Sequence, residues 1–174
     1  MHHPPPQQIP GVYHRKIGDI VITVISDGYL DGNLEVMRNV DLDKAHKVLK
    51  DAFRPARRTS VNTFLIHSKG RRALVDTGSG NYLQNTAGKV QDNLAAAGID
   101  PASIDTVLLT HMHPDHSAGL TEMPGGRLYF PNAELVMHEK ELPHWFDDAA
   151  SSSSSHSHCS GPPFLKMPGT LESR

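Results

Sequence analysis

The chain has 174 residues, room for one domain, and sets 17 Lys and Arg against 19 Asp and Glu for a formal net charge of −2. That balance gives no electrostatic case for a nucleic-acid partner. No apolar run approaches the roughly 18 residues of a membrane helix, and the single cysteine, Cys159, excludes a disulfide within the chain.

The opening Met1-His2-His3-Pro4-Pro5-Pro6 lacks the basic region and apolar core of a secretory signal. It reads as a short flexible or polyproline-like arm, with His2 and His3 incidental to it. A cytoplasmic location is the corresponding expectation. Residues 20–25 are rich in β-branched residues and predict a strand, ended by a turn at Ser26-Asp27-Gly28. Asp41 is placed to cap a helix over 42–53, with Leu42, Ala45, Val48, Leu49 and Phe53 as its apolar stripe and Pro55 as its stop. Arg54, Arg57 and Arg58 form a small basic cluster, read as a solvated loop in preference to an anion contact.

Residues 61–67 and 72–76 predict a hairpin that turns at Ser68-Lys69-Gly70. His67, at a strand end, reads as structural. Asp76 ends the second strand, where one reading is a turn-former bonding its own backbone. Residues 85–97 predict a helix with Val90, Leu94 and Ala97 on one face and Gly98 as its stop. A turn at Pro101-Ala102-Ser103 then leads into the apolar run Thr106-Val107-Leu108-Leu109.

Directly after that run comes Thr110-His111-Met112-His113-Pro114-Asp115-His116. His111 and His113 sit two apart, so in extended chain their side chains leave on the same side. Pro114 forces a turn before Asp115 and His116. The pattern offers two imidazoles to one metal ion, and a carboxylate plus an imidazole to a second. Such donors suit zinc, and also iron, manganese or cobalt. A catalytic zinc has three protein ligands and one open position, where bound water has a pKa of about 7. Asp115 is placed to ligate, to orient hydroxide and to pass a proton to a leaving group. Four donors do not complete two such sites, and the rest of the sequence does not obviously supply the others.

Gly125-Gly126 introduces a strand over 127–130, and Pro131-Asn132 turns the chain into another over 134–137. Residues 138–146 predict a short helix or turn in which Trp145 is positioned to wall a pocket. The composition then changes. Residues 151–155 are all serine, followed by His156-Ser157-His158-Cys159, with neither helical nor strand period. Residues 149–174 therefore read as a disordered tail, the product of a frameshift or truncation. His156, His158 and Cys159 are ligand types without a scaffold to position them.

The Thr-His-x-His-x-Asp-His run resembles the signature of the metallo-β-lactamase fold hydrolases. Leu74-Val75-Asp76-Thr77-Gly78 is similar to that family's strand-end DTG segment, and Ser117-Ala118-Gly119-Leu120 stands where the family carries xxGGL, with Ala118 in place of Gly. Residues 18–28 resemble one branch, the N-acyl-homoserine lactonases and methyl-parathion-type organophosphate hydrolases. The resemblance covers about residues 10–147. It implies an α+β fold, the N-terminal half of an αββα sandwich, over 11–148, after an arm at 1–10.

The resemblance also implies two divalent metal ions, zinc first, held by His111, His113, Asp115 and His116. Asp76 stands beside them as a partner that orients ligands. The implied chemistry is hydrolysis of a small-molecule lactone, ester or phosphotriester by metal-bound hydroxide, with Asp115 as the catalytic side chain. Glyoxalase-II-like thioester hydrolysis is the runner-up. In full-length relatives a second half supplies the remaining ligands and covers the second face of the sheet. No matching segment is found here, so two alternatives stay open: an inactive fragment, and a half-domain that self-associates through the uncovered sheet face.

Overall fold

The computed structural model describes residues 7–146. His2 and His3, the serine tract and His156, His158 and Cys159 lie outside the described residues.

The fold is α+β, as expected. Strands β1 (Val12–Ile17), β2 (Ile20–Gly32), β3 (Arg57–Ser68) and β4 (Arg71–Val75) form an antiparallel meander. Strands β5 (Thr106–Leu108) and β8 (Glu134–Val136) add to it in parallel, giving a six-stranded sheet in the order β1-β2-β3-β4-β5-β8. A small two-stranded sheet holds β6 (Thr121–Glu122) and β7 (Arg127–Leu128). Four α-helices are found among the described residues: α1 (Leu42–Asp51), α2 (Val90–Ala96), α3 (Pro114–Ser117) and α4 (Glu141–Phe146). No helix among the described residues is long and apolar enough to cross a membrane.

The pleat sorts the sheet's residues onto two faces. One face carries Ile25, Leu65, Leu74 and Val107, all 0–1% exposed, packed with Val90 and Leu94 of α2 and with Ile99, Ile104, Met112 and Phe130. On the same face, towards the β1 edge, Thr23 Oγ1 bridges His14 Nδ1 at 2.9 Å and His67 Nε2 at 3.1 Å. His67 is buried and neutral, its pKa pushed down to about 4 by burial and by the nearby Arg72 and His14.

Several local expectations are corrected. Ser26-Asp27-Gly28 is a bulge inside the long strand β2, and no turn, because β3 runs alongside on both sides of the register shift. Asp41 does cap α1, accepting the Lys44 N–H at 3.1 Å, but the apolar stripe is largely open: Ala45 and Leu49 are half-buried, no residue of α1 is buried, Val48 is 65% exposed and Phe53 96%. Arg57 and Arg58 are strand residues of β3. Arg58 makes a two-pronged pair with Asp31, at 2.8 and 2.7 Å, and stacks over the Tyr29 ring. The helix expected over 85–97 begins only at Val90. Thr86 upstream is held by β2, its carbonyl accepting the Tyr29 N–H and its hydroxyl donating to the Tyr29 carbonyl, and that tertiary pairing outcompetes helix propensity. The strand expected over 127–130 shortens to Arg127–Leu128 because Phe130 turns into the core.

Candidate metal centre

The expected site residues converge at the carboxyl ends of β4 and β5. Asp76 follows β4 with φ of +59°, and its N–H donates to Leu108 O of β5 at 2.9 Å. Its side chain does not serve its own turn. Oδ1 accepts the Thr110 N–H at 2.8 Å, and Oδ2 accepts from His116 Nδ1 at 2.8 Å. The Thr110 hydroxyl donates to the same carboxylate.

The chain between Thr110 and His116 is shaped by its own residues. His111, Met112 and His113 alternate: Met112 points into the core, 0% exposed, and the two imidazoles point outward with ring centres 4.8 Å apart. Pro114 starts α3, where its missing N–H is no loss. One turn of helix brings His116 back beside His111, ring centres 4.0 Å apart. Two glycines make the cradle possible. A Cβ on Gly119 would run into the Thr77 carbonyl, and Gly78, at φ of +74°, leaves no room for one against the Asp27 carboxylate. Ala118, in contrast, is buried without difficulty.

Electrostatics tie the cluster together. Asp115 Oδ2 lies 3.4 Å from His116 Nε2. Since Nδ1 donates to Asp76, a neutral His116 aims its Nε2 lone pair at a carboxylate, an arrangement that needs a cation between the two. Without a metal ion a proton takes that place: hydrogen bonding to Asp115 and then to Asp76 raises the His116 pKa to about 9. The same partnership lowers the Asp115 pKa. Burial raises the Asp76 pKa, and the His116 and Thr110 bonds outweigh it, leaving that carboxyl below its ordinary range. Burial and the two neighbouring imidazoles lower the His111 pKa, which keeps it in the ligating form.

A metal ion fits this donor set in kind. Two ligands on one tetrahedral zinc, each about 2.1 Å from it, lie about 3.4 Å apart, which matches the Asp115–His116 spacing. The set is also incomplete. Among the described residues no group of three or more His, Cys, Asp or Glu side chains gathers around a single metal position. His111 lies beside both His113 and His116, and Asp115 lies beside His116.

Two supporting residues were not legible in the sequence. Asp27, buried in the β2 bulge, accepts the N–H of Ser79 at 2.8 Å and of Val90 at 3.2 Å, fixing the loop after Asp76 and the start of α2 together. Its only signal was an Asp-Gly pair that read as a turn. Glu141 of α4 accepts the Met112 N–H at 2.9 Å and the Trp145 indole N–H at 3.2 Å. That places Trp145 edge-on to His113, ring centres 5.4 Å apart, at one side of the site.

The model of the Metallo-beta-lactamase superfamily matches residues 56–166, more than half of the chain. The chain belongs to the metallo-beta-lactamase superfamily. Within it, the fold is similar to that of the hydrolase AbOPH, with a TM-score of 0.74 and 31% identity over 84% of this chain and 50% of that one. It is similar also to AidC, a dizinc quorum-quenching lactonase solved with the product N-hexanoyl-L-homoserine, with a TM-score of 0.70 and 27% identity over 78% of this chain and 47% of that one. An atrochrysone carboxyl ACP thioesterase of Passalora fulva is 39% identical over 81 residues, 47% of this chain and 22% of that protein. The chain thus spans about half the length of these solved structures and less of the curated relative.

Proposed function

We propose that the chain is a metal-dependent hydrolase that uses two divalent ions, zinc first, on a lactone, ester or phosphotriester. The series Asp76–His116–Asp115 carries the proposal. A buried carboxylate fixes the tautomer of an imidazole whose other nitrogen faces a second carboxylate, and such partners orient metal ligands. His111 and His113 would hold one ion, and Asp115 and His116 the other. The ions supply Lewis acidity and acidify bound water, which is what cleavage of an acyl or phosphoryl bond at neutral pH requires. Asp115, partly exposed at the start of α3, is the group placed to move a proton to the leaving atom. Trp145 excludes water on the His113 side. The lactone and ester classes follow the AidC likeness and the resemblance of residues 18–28.

The incomplete donor set favours a second reading, in which these residues are a half-site that hydrolyses nothing until another segment or chain completes it. One experiment separates the two. Metal content per chain is measured by plasma emission on the full chain, alongside turnover of an acyl-homoserine lactone, an aryl ester, a phosphotriester and a thioester. Stoichiometric metal with metal-dependent turnover, lost in Asp115→Asn, supports the hydrolase. Folded protein that holds no metal and turns over none of the four overturns it. Preference for the thioester moves the substrate class toward that of the Passalora relative.

A further inference from the structure

Strand β5 ends at Leu108, between β4, which ends at Val75, and β8, which ends at Val136. The next residue, Leu109, still donates its N–H to a strand carbonyl, Val136 O, at 2.8 Å. Past it, side-chain carboxylates take over as acceptors. The Thr110 N–H goes to Asp76 Oδ1 at 2.8 Å and the Met112 N–H to Glu141 Oε2 at 2.9 Å. Asp76 directly follows β4, and Glu141 stands in the first turn of α4, which follows β8.

Asp76 serves His116, and Glu141 faces the other end of the loop. Met112 lies between His111 and His113, with its side chain locked in the core. The oxygen that holds its N–H also accepts the Trp145 indole N–H at 3.2 Å, one helical turn along α4. Leu142 and Trp145 pack against the core and fix that helix. Trp145 meets the His113 ring edge-on, the planes at 84°. His111 has the Thr110 hydroxyl 3.1 Å from its Nδ1, and His116 has Asp76 on its own. Among the described residues no hydrogen bond reaches the His113 ring, which is flanked by the rings of Trp145 and His111.

We propose that Glu141 is the positioning residue for His113, one oxygen holding both the backbone ahead of it and the aromatic wall beside it. The proposal rests on the reading of His111 and His113 as metal ligands. A ligating imidazole is ordinarily oriented by a hydrogen bond from its second nitrogen. His113 takes its orientation from a carboxylate that acts through Met112 and Trp145. Since Oε2 accepts both bonds, the amide oxygen of Gln can stand in for it, whereas Ala leaves two donors without an acceptor.

The test uses the full chain, with circular dichroism to confirm folding. Proton NMR follows the imidazole C–H resonances, and competition with a chromophoric chelator gives the affinity for cobalt(II). Glu141→Ala should shift the His113 resonances away from their indole-neighbour values and leave those of His67, near the opposite end of β4, in place. Cobalt affinity should fall about 10–100-fold, the cost of losing a partner that orients a ligand. Glu141→Gln should restore both. Trp145→Phe keeps a ring and loses only the indole bond, so it should move His113 as well, and it decides the matter if Glu141→Ala does not fold. His113 resonances that stay put in the folded variants overturn the proposal. So do shifts of His113 and His67 together, a displaced His113 with unchanged cobalt affinity, or a Gln variant no better than Ala. Wild-type chain that binds no cobalt removes the metal reading instead, and the His113 resonances still decide whether Glu141 sets that ring.

Discussion

Asp76 Oδ2 stands 2.8 Å from His116 Nδ1, and that bond decides which imidazole nitrogen His116 presents to Asp115. Replacing Asp76 by Asn keeps the shape and removes the charge, so the amide can face Nδ1 with its NH2 and select the wrong tautomer. Asp76→Asn should weaken zinc binding about 10–100-fold, the usual cost of losing such a partner. Competition with a chromophoric chelator measures it. Unchanged affinity would show that His116 orientation comes from packing alone.

Asp27 is predicted to matter as much for stability as Asp76 does for metal. It is 0% exposed and holds two backbone N–H groups from different loops. Asp27→Ala should cost about 2–4 kcal/mol, because two buried donors lose their acceptor. The urea midpoint reads this directly. A shift below about 1 kcal/mol would mean that water takes over both donors.

Gly119→Ala should be worse than its one added methyl suggests, about 3 kcal/mol or more, since that methyl meets a carbonyl that has nowhere to go. Ala118→Gly, one residue earlier, should change stability by about 1 kcal/mol or less. Thermal denaturation of the two variants side by side gives the contrast.

His67 predicts an acid-sensitive component of stability. Its pKa is about 4 in the folded chain and about 6.5 unfolded. Between those values the unfolded chain takes up a proton that the folded chain refuses, so stability falls as pH drops through this window and is fully present above it. At 1.36 kcal/mol per pKa unit the component is about 3 kcal/mol. His67→Gln should flatten the dependence of the urea midpoint between about pH 6.5 and 4 relative to wild type. An equally steep dependence in the variant would assign the effect to other groups.

The strands that were legible in the sequence are those with strong local pattern. Residues 61–67 and 72–76 read as strands about a turn at Ser68-Lys69-Gly70, and the structure follows, with β3 longer at both ends and β4 one residue earlier, over 71–75. The His-x-His-x-Asp-His run was equally legible because all its donors are local. The misreadings share a cause, which is competition from distant chain. Ser26-Asp27-Gly28 has turn chemistry, but β3 pairs across it and turns it into a bulge. Residues 85–89 have helix propensity, but Tyr29 claims the backbone of Thr86. Glu141 carries no pattern at all, and its bond to Met112 spans 29 positions.

Helix α1 has a consequence for how this protein can change. It is capped by Asp41, held to itself by Lys47–Asp51, and touches the sheet with no buried residue. The segment leaves β2 and re-enters at β3, where Arg58 clasps Asp31 and closes the gap behind it. A segment clasped at its base, whose helix buries no residue, is a natural place for exchange. Its length and sequence can be rewritten, or a foreign peptide grafted in its place, while the sheet and the loop of His111 to His116 remain undisturbed.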